Sequence, residues 1–366
     1  MRPRWGRTGS LGIILLQRCD PAGVVTHKFI IHHSSFIIQK LLLLRFSAIG
    51  DIILTTPVIR CLKLQLGAEL HFLTKTAFKG ILTPNPYLDK VYHFDKEIDE
   101  VLPALKLEQY DWVIDLHHNL RSARLKLALG RPSRAFPKKN LEKWMLVNTG
   151  IDWMPQEHIV DRYLRTVQHL GVHSDGAGLD YFIPTDQVVD LQDLQAQGLK
   201  LPFVAFVLGA THATKRLPPE SMEQLCRLLP CSVVLLGGKA EAALGEKLAQ
   251  IGPNIWNLCG SLSLHQSASV LEQAGVVLTH DTGLMHIAAA KHKKIAVVWG
   301  NTTPRFGMYP YDPKGLATYE NFEIKGLSCR PCSKIGHAVC PKGHFKCMKD
   351  QDLNAIARYI TLAMAE

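Results

Sequence analysis

The stretch LLLLRFSAIGD at residues 41–51 carries the strongest structural signal in this 366-residue chain. Its leucines form an apolar run of buried-strand length, and the small residues behind them permit a tight turn. Apolar residues then recur at helical spacing from Ile52 to Leu66. Similar strand–turn–helix units follow in both halves of the chain, for example from Phe203 to Leu229. This alternation predicts an α/β fold with parallel sheets, and the chain is long enough for two such domains.

Composition narrows the class of protein. Hydrophobic residues make up 47% of the chain and charged residues 20%, and no stretch approaches the roughly 20 apolar residues that span a bilayer. We therefore expect a cytoplasmic protein. The formal net charge is +10, half of it in the first forty residues. The remainder favours a phosphorylated small molecule or an anionic membrane surface as partner, and the absence of basic–aromatic interleaving argues against nucleic acid.

The predicted domain boundaries follow these patterns. Residues 1–37 are interpreted as a leader, either an unstructured extension or the result of a start codon assigned too early. Residues 38–178 form the first domain and end in a glycine-rich polar stretch, and residues 179–349 form the second. Residues 350–366 are predicted to form a last helix.

Candidate functional residues lie where strands give way to helices, because ligands bind at the carboxyl ends of parallel strands. Asp51 there is either a helix cap or a general base. Lys215 is either a solvated loop residue or a cation for a leaving diphosphate. The helix that opens at 281–284 offers backbone amides to a phosphate, although a simple cap explains the same residues.

Several common motifs are absent from the sequence. It contains neither G-x-G-x-x-G nor a Walker sequence, which argues against a conventional dinucleotide or P-loop enzyme. The only D-x-D is Asp350-Gln351-Asp352, which we interpret as a helix cap. A metal-bridged nucleotide-sugar site is therefore not predicted.

Together these loops resemble the ADP-heptose:lipopolysaccharide heptosyltransferases of glycosyltransferase family nine. The main matches are RFSAIGDIILTTP at residues 45–57 and THDTGLMHIAAA at residues 279–290. KRLP at 215–218 and DLHHNLRS at 115–122 support them. The resemblance implies a GT-B fold, with two Rossmann-like doubly wound domains facing a central cleft, the acceptor domain first and the nucleotide-sugar domain second. It also implies that the last helix, residues 350–366, packs back on the first domain.

The same resemblance implies an inverting, metal-independent transfer of heptose from ADP-heptose to a lipid-linked lipopolysaccharide core acceptor. By this resemblance, Asp51 corresponds to the general base, and Lys215 corresponds to a ligand of the leaving diphosphate. The implied donor-binding residues are Thr211, Thr214, Gly237, Gly238, Asp281, Thr282, Gly283, Leu284 and His286. The implied acceptor-binding residues are Ser47, Gly50, His117, Asn119, Arg121 and Ser122. No cofactor is implied for catalysis, and contact with the inner face of the cytoplasmic membrane is expected.

A cysteine-rich segment spans residues 329–347. Two residues separate Cys329 from Cys332, which is a metal-knuckle spacing, while Cys340 and Cys347 follow at wider intervals. The four residues are candidates for a structural zinc site. Reduced thiols or disulfides are equally compatible with the spacing.

Two other functions are compatible with the sequence. A nucleotide-sugar 2-epimerase of GT-B architecture would convert the donor without an acceptor. A non-catalytic protein that binds a partner through the cysteine-rich segment would show no turnover.

Overall fold

The computed structural model describes residues 12–19, 25–32, 38–315 and 318–365. Residues 1–39 and 40–366 form two separate compact units. In the first unit, β1 (Gly12–Cys19) pairs antiparallel with β2 (Val25–His32). This differs from the unstructured leader expected from composition, because β1 contains two adjacent isoleucines and β2 is rich in β-branched and aromatic residues, which favour strands. The rest of the leader lies outside the described residues.

The first half of the second unit is built on a five-stranded parallel sheet of order β5-β4-β3-β6-β7. Its strands are β3 (Lys40–Leu44), β4 (Glu69–Lys75), β5 (Lys90–Phe94), β6 (Trp112–Asp115) and β7 (Ser133–Ala135). The helices are α1 (Ile49–Ile53), α2 (Thr56–Leu66), α3 (Lys79–Leu82), α4 (Leu102–Leu107), α5 (Leu120–Leu129), α6 (Asn140–Thr149) and α7 (Ile159–Arg165). The four leucines 41–44 are fully buried, as a central parallel strand requires.

The helix predicted from Ile52 to Leu66 is divided into α1 and α2. Pro57 has no N–H to donate to the carbonyl of Ile53, and the hydroxyl of Thr56 donates to that carbonyl instead, at 2.8 Å. The division leaves α1 as a short separate helix that carries Asp51.

The second half is built on a six-stranded parallel sheet of order β10-β9-β8-β11-β12-β13. Its strands are β8 (Val204–Val207), β9 (Val233–Leu236), β10 (Ile255–Asn257), β11 (Val276–His280), β12 (Lys294–Trp299) and β13 (Tyr319–Glu323). The helices are α8 (Gln192–Ala196), α9 (Pro219–Leu228), α10 (Ala242–Ala249), α11 (Leu264–Gln273), α12 (Gly283–Ala290), α13 (Lys346–Lys349) and α14 (Leu353–Ala365). Of the helices in the described ranges, none combines the length and apolar composition that crossing a bilayer requires.

The last helix corrects one expectation. Ile356 and Ile360 of α14 are fully buried in the core of the second domain, so this helix packs there and not back on the first domain as predicted. The reason is its amphipathic pattern, whose apolar side covers the sheet and α9. The Asp350–Asp352 motif acts as predicted, since Asp352 accepts a hydrogen bond from the N–H of Ala355 at 2.9 Å.

A loop of the second domain, residues 303–311, packs against the first domain. The side chain of Phe306 packs with Leu146 and Met154. The buried Arg162 of α7 donates to the carbonyl of Phe306 at 3.0 Å, and the N–H of Ile159 donates to the carbonyl of Gly307 at 2.8 Å. The second domain therefore reaches the first through a loop between β12 and β13.

Candidate active site

A cleft of about 430 Å³ is lined by loops of both domains. The first domain contributes Asp51 and His117, which follow β3 and β6. The second contributes Thr211, Lys215 and Asp281, which follow β8 and β11. The cleft thus brings together five of the predicted site residues at the carboxyl ends of central strands, where α/β sheets bind ligands.

Asp51 is held in the first turn of α1. Its Oδ1 lies 2.7 Å from Nη2 of Arg45, and its Oδ2 accepts the N–H of Ala48 at 3.2 Å. Burial raises the pKa of Asp51, but the charge of Arg45 and the Ala48 hydrogen bond outweigh it and hold the pKa below its usual value. The carboxylate is therefore ionised at neutral pH, caps its helix and still faces the cleft.

Arg45 is a site residue that sequence reasoning missed. Its guanidinium is buried and donates to the carbonyls of Ser47 (2.8 Å) and Leu116 (2.6 Å) and to the hydroxyl of Tyr163 (3.1 Å), besides pairing with Asp51. These bonds tie the loop after β3 to the loop after β6. An arginine at the end of a buried apolar run was the signal available in the sequence.

Lys215 and Asp281 form the second charged pair of the cleft. Lys215 Nζ lies 2.6 Å from Oδ2 of Asp281, which also accepts the hydroxyl of Thr302 at 2.9 Å. Asp281 precedes Thr282, which is the N-cap residue of α12, and the first turn of that helix contains Gly283 and Leu284. The cation therefore lies close to the N-terminus of α12, where backbone N–H groups favour anions.

Gly50, Gly283 and His286 lie at the contact between α1 and α12. A Cβ added to Gly50 would stand 2.6 Å from Cδ2 of His286, and one added to Gly283 would stand 2.6 Å from Cγ2 of Ile49. The structure therefore gives the predicted ligand residues Gly50 and Gly283 a packing role. Burial lowers the pKa of His286 to about 4, so its ring is neutral.

The described lining of the cleft leaves out seven of the nine predicted donor residues. Four of them lie at the start of α12 (Thr282, Gly283, Leu284 and His286), and the other three are Thr214, Gly237 and Gly238. Thr214 is buried, its hydroxyl donates to Asn301 Oδ1 at 3.0 Å, and it accepts the N–H of His337 at 2.8 Å. Gly237 and Gly238 pack against Glu241, whose Oε2 accepts the N–H of Gly238 at 3.0 Å. Thr214 therefore fastens the Lys215 loop to the cysteine-rich segment.

The predicted acceptor loop is organised around Asp115. Asn119 caps α5 by accepting the N–H of Ser122 at 2.9 Å, and the Ser122 hydroxyl donates to Asp115 at 2.7 Å. Arg121 is exposed beside them. His117 reaches the cleft, where burial and then the charge of Arg45 lower its pKa to about 4. Asn119 and Ser122 thus hold the loop in place, while His117 faces the cavity.

Three lysines of the cleft were also missed. Lys138, Lys143 and Lys334 line the cavity, and none forms an ion pair in the described part of the chain. Burial, followed by the charge of Arg162, lowers the pKa of Lys143 to about 8. Lys138 lies just before α6 and Lys143 lies within it. Hydrophobic periodicity predicted no helix or strand in this region.

The cysteine-rich segment holds Cys329, Cys332, Cys340 and Cys347 as free thiols. Cys329 Sγ lies 3.6 Å from Nε2 of His344. Among the described residues, the one group of three or more potential ligand atoms within 4.8 Å of one another is Glu69, His71 and Glu108. Since the cysteines do not form such a group, zinc binding at this segment stays a prediction.

Comparison with known proteins gives four relevant matches. The model of glycosyltransferase family 9 (heptosyltransferase) matches residues 100–337. The lipopolysaccharide heptosyltransferase 1 of Campylobacter coli is 24% identical over 292 residues, which are 72% of this chain and 84% of that protein. A glycosyl transferase family 9 structure from Veillonella parvula superposes with a TM-score of 0.71 at 19% identity, covering 89% of this chain and 97% of that one.

The structure of Escherichia coli heptosyltransferase WaaC with ADP superposes with a TM-score of 0.63 at 19% identity, covering 89% of this chain and all (100%) of that one. These structural neighbours confirm the predicted GT-B fold. The family model covers more than half of the chain and confirms the resemblance noted in the sequence. The chain therefore belongs to glycosyltransferase family 9 and is a glycosyltransferase.

Proposed function

We propose that this enzyme transfers a heptose from ADP-heptose to a hydroxyl of a lipopolysaccharide core acceptor, with inversion at the anomeric carbon and without a metal ion. The named relatives support the donor and acceptor, since they include lipopolysaccharide heptosyltransferases and a heptosyltransferase structure with ADP. The observation that carries the mechanism is the placement of Asp51 and Lys215, from opposite domains, in one cleft.

Asp51 is the proposed general base. Its carboxylate is ionised, partly exposed and directed into the cleft, so it can accept the proton of an acceptor hydroxyl during attack. The acceptor oxygen bonds to the anomeric carbon as the bond from that carbon to the ADP oxygen breaks. Attack on the face opposite the departing ADP inverts the configuration. Arg45 keeps Asp51 in place and ionised between turnovers.

Lys215 and the N-terminus of α12 are proposed to stabilise the departing diphosphate in place of a metal ion. Lys215 is paired with Asp281 in the cleft. A diphosphate at the same position would compete for the ammonium group and would also meet the N–H groups at the start of α12. Asp281, released from the pair, is then free to accept a hydrogen bond from a sugar hydroxyl.

We also propose a cytoplasmic location in contact with an anionic membrane surface. The acceptor of the proposed reaction is lipid-linked, and the formal net charge of +10 favours contact with an anionic surface.

An Asp51→Asn variant tests the proposal. It should bind ADP-heptose, seen as thermal stabilisation, but lose transfer by about 10²- to 10⁴-fold, since the base is removed and the shape kept. Asp193→Asn, on the exposed surface of α8, is the matched control. Full activity of Asp51→Asn would end the base assignment.

The remaining parts of the proposal have separate readouts. The anomeric configuration of the product, determined by NMR, tests inversion, and activity after exhaustive chelation tests metal independence. Consumption of ADP-heptose without an acceptor would instead indicate an epimerase. Stabilisation by UDP, GDP or CMP in preference to ADP would contradict the proposed donor.

A further inference from the structure

Large apolar side chains are exposed on both domains, in α6 and in the cysteine-rich segment, each of which contributes residues to the cleft. In α6, Leu141 is 63% and Trp144 51% exposed, and in the cysteine-rich segment Ile335 is 64% and Val339 76% exposed. We call these four the rim residues. Exposed apolar side chains that gather at one place on a soluble protein mark a surface that binds something.

Three of the rim residues, Leu141, Trp144 and Ile335, line the cleft or follow a residue that lines it. Asn140 and Lys143 of α6 face the cavity, and Leu141 and Trp144 each follow one of them in sequence, about 100° further round the helix. On the other domain, Ile335 itself lines the cavity. The apolar surface therefore borders the cleft from two sides.

The exposed side of α6 is not required by the protein core. Leu146, on another side of the helix, packs with Met154 and Phe306. The two tryptophans that are more than half exposed in the described chain, Trp144 at 51% and Trp153 at 60%, both fall within residues 141–153. Tryptophan is the side chain most typical of the boundary between lipid and water.

Positive charge is concentrated at the same border. Lys138, Lys143 and Lys334 come from both domains and form no ion pair with any described carboxylate. They are close enough for Lys334 to contribute, after burial and Arg162, to the lowered pKa of Lys143. Unpaired lysines beside apolar side chains complement an anionic surface that also has an apolar interior.

We propose that the rim residues and these three lysines form a docking surface for an anionic lipid bilayer, with the cleft opening at the level of the headgroups. The apolar side chains enter the boundary between headgroups and acyl chains, and the exposed Lys334 contacts the headgroup phosphates. The partly buried Lys138 and Lys143 add positive charge at the cleft. The proposal deepens the proposed function, on which it rests for the lipid-linked acceptor, but docking itself requires neither donor nor acceptor. A protein partner would leave the lysines without the dense anionic layer that they fit.

Vesicle co-sedimentation of the full chain tests the surface. The chain should bind phosphatidylcholine vesicles that contain phosphatidylglycerol, and added salt should weaken this binding. The double variant Leu141→Ser/Trp144→Ser should partition at least about tenfold less, because two inserted apolar side chains are lost. Lys334→Gln should lower binding about fivefold on the same vesicles.

Leu64→Ser in α2 and Leu362→Ser in α14 are the matched controls, since these leucines are 65% and 64% exposed and lie outside the rim. They should bind vesicles like the wild type. Comparing full chains keeps the contribution of the leader constant. Turnover of a water-soluble acceptor fragment should be unchanged in Leu141→Ser/Trp144→Ser, whereas turnover of a bilayer-embedded acceptor should fall.

Two outcomes would overturn the proposed docking surface. In one, the wild-type chain does not bind anionic vesicles; in the other, the double variant binds them as well as the wild type. Either leaves the transferase proposal untouched, because transfer to a soluble acceptor is measured separately. Conversely, vesicle binding without any transfer counts against the proposed function alone.

Discussion

The Cα of Gly50 lies against the imidazole ring of His286, and an added Cβ would stand 2.6 Å from the ring carbon Cδ2. One residue belongs to α1 of the first domain and the other to α12 of the second. Their contact brings the helix that carries Asp51 to the helix that follows Asp281. The distance between the two charged pairs of the cleft therefore depends on the absence of a side chain at residue 50.

A methyl group at this position should separate the two helices. We expect Gly50→Ala to destabilise the protein by about 1–3 kcal/mol through overpacking and to reduce transfer at least tenfold. Denaturant unfolding and a transfer assay measure the two effects. The double variant Gly50→Ala/His286→Ala should recover part of the stability, because the ring that clashes is removed.

Gly80→Ala is the control for this substitution, since a Cβ there meets nothing within 4 Å. It should leave stability unchanged or slightly raised, as expected for alanine in a helix. A Gly50→Ala protein with wild-type stability and turnover would show that the helix contact is not tight.

Replacing Arg45 should change the pH dependence of transfer. Burial alone raises the pKa of Asp51, and the charge of Arg45 is the largest influence that lowers it. In Arg45→Gln the pKa of Asp51 should rise, so activity should be lost at a higher pH as the solution is acidified. The acid limb of kcat/KM reports this pKa in the free enzyme. Arg124 is an exposed arginine paired with Asp99, and Arg124→Gln should leave the pKa of the acid limb unchanged.

The buried Arg60 should support stability in a pH-dependent way. It donates to Asp175 at 2.7 and 2.9 Å, and it also pairs with Asp180. We expect Arg60→Met to cost about 3 kcal/mol at neutral pH, because it leaves two carboxylates without their cation. Urea unfolding at several pH values measures this change, and a loss under 0.5 kcal/mol, the roughly ±0.5 range of neutral surface substitutions, would contradict it.

The sign of the pH effect follows from Asp175. Its hydrogen bond with Arg60 lowers the folded pKa to about 2, below the ordinary value of 3.8. The stabilisation is therefore present above pH 4 and is lost as the pH falls toward 2. Asp180 is more buried, and burial raises its pKa despite the same arginine. Its contribution to the stability of the folded state therefore has the opposite sign: it is present at low pH and is lost as the pH rises through its folded pKa. Arg60→Met should lose the acid-side dependence that comes from Asp175.

Metal analysis of the purified chain tests the cysteine-rich segment. A zinc site would give about one zinc per chain, and Cys332→Ser would abolish it and lower the melting temperature. Cys231→Ser, outside the segment, should keep the metal. A folded wild-type chain without zinc refutes the site and favours the free thiols that the structure contains.

The central strands could be predicted from sequence because each is buried on both faces and is therefore a continuous apolar run. Two of the four edge strands of the parallel sheets could not, although β5 and β10 were predicted. β7 consists of Ser133, Arg134 and Ala135, and β13 contains two glutamates, so neither shows the apolar pattern of a buried strand. Each of these strands forms by pairing with a neighbouring strand of the sheet, β6 or β12. The local sequence of β7 or β13 carries no information about that neighbour.

The same distinction applies to the cleft. Asp51, Lys215 and Asp281 could be located because they follow predicted strands, and strand ends converge in a parallel sheet. The partners of Arg45 at Leu116 and Tyr163 could not, since they are 71 and 118 residues away in sequence. The resemblance implied an acceptor-binding role for Gly50 and a donor-binding role for Gly283, whereas in the structure they pack against His286 and Ile49.

The loop of residues 303–311 also determines how the two domains should unfold. Phe306 is 4% exposed, and its surroundings belong to the other domain. Unfolding either sheet would uncover this side chain and remove the carbonyl partner of Arg162. The two domains should therefore melt as one cooperative unit, and a calorimeter should record a single transition instead of two.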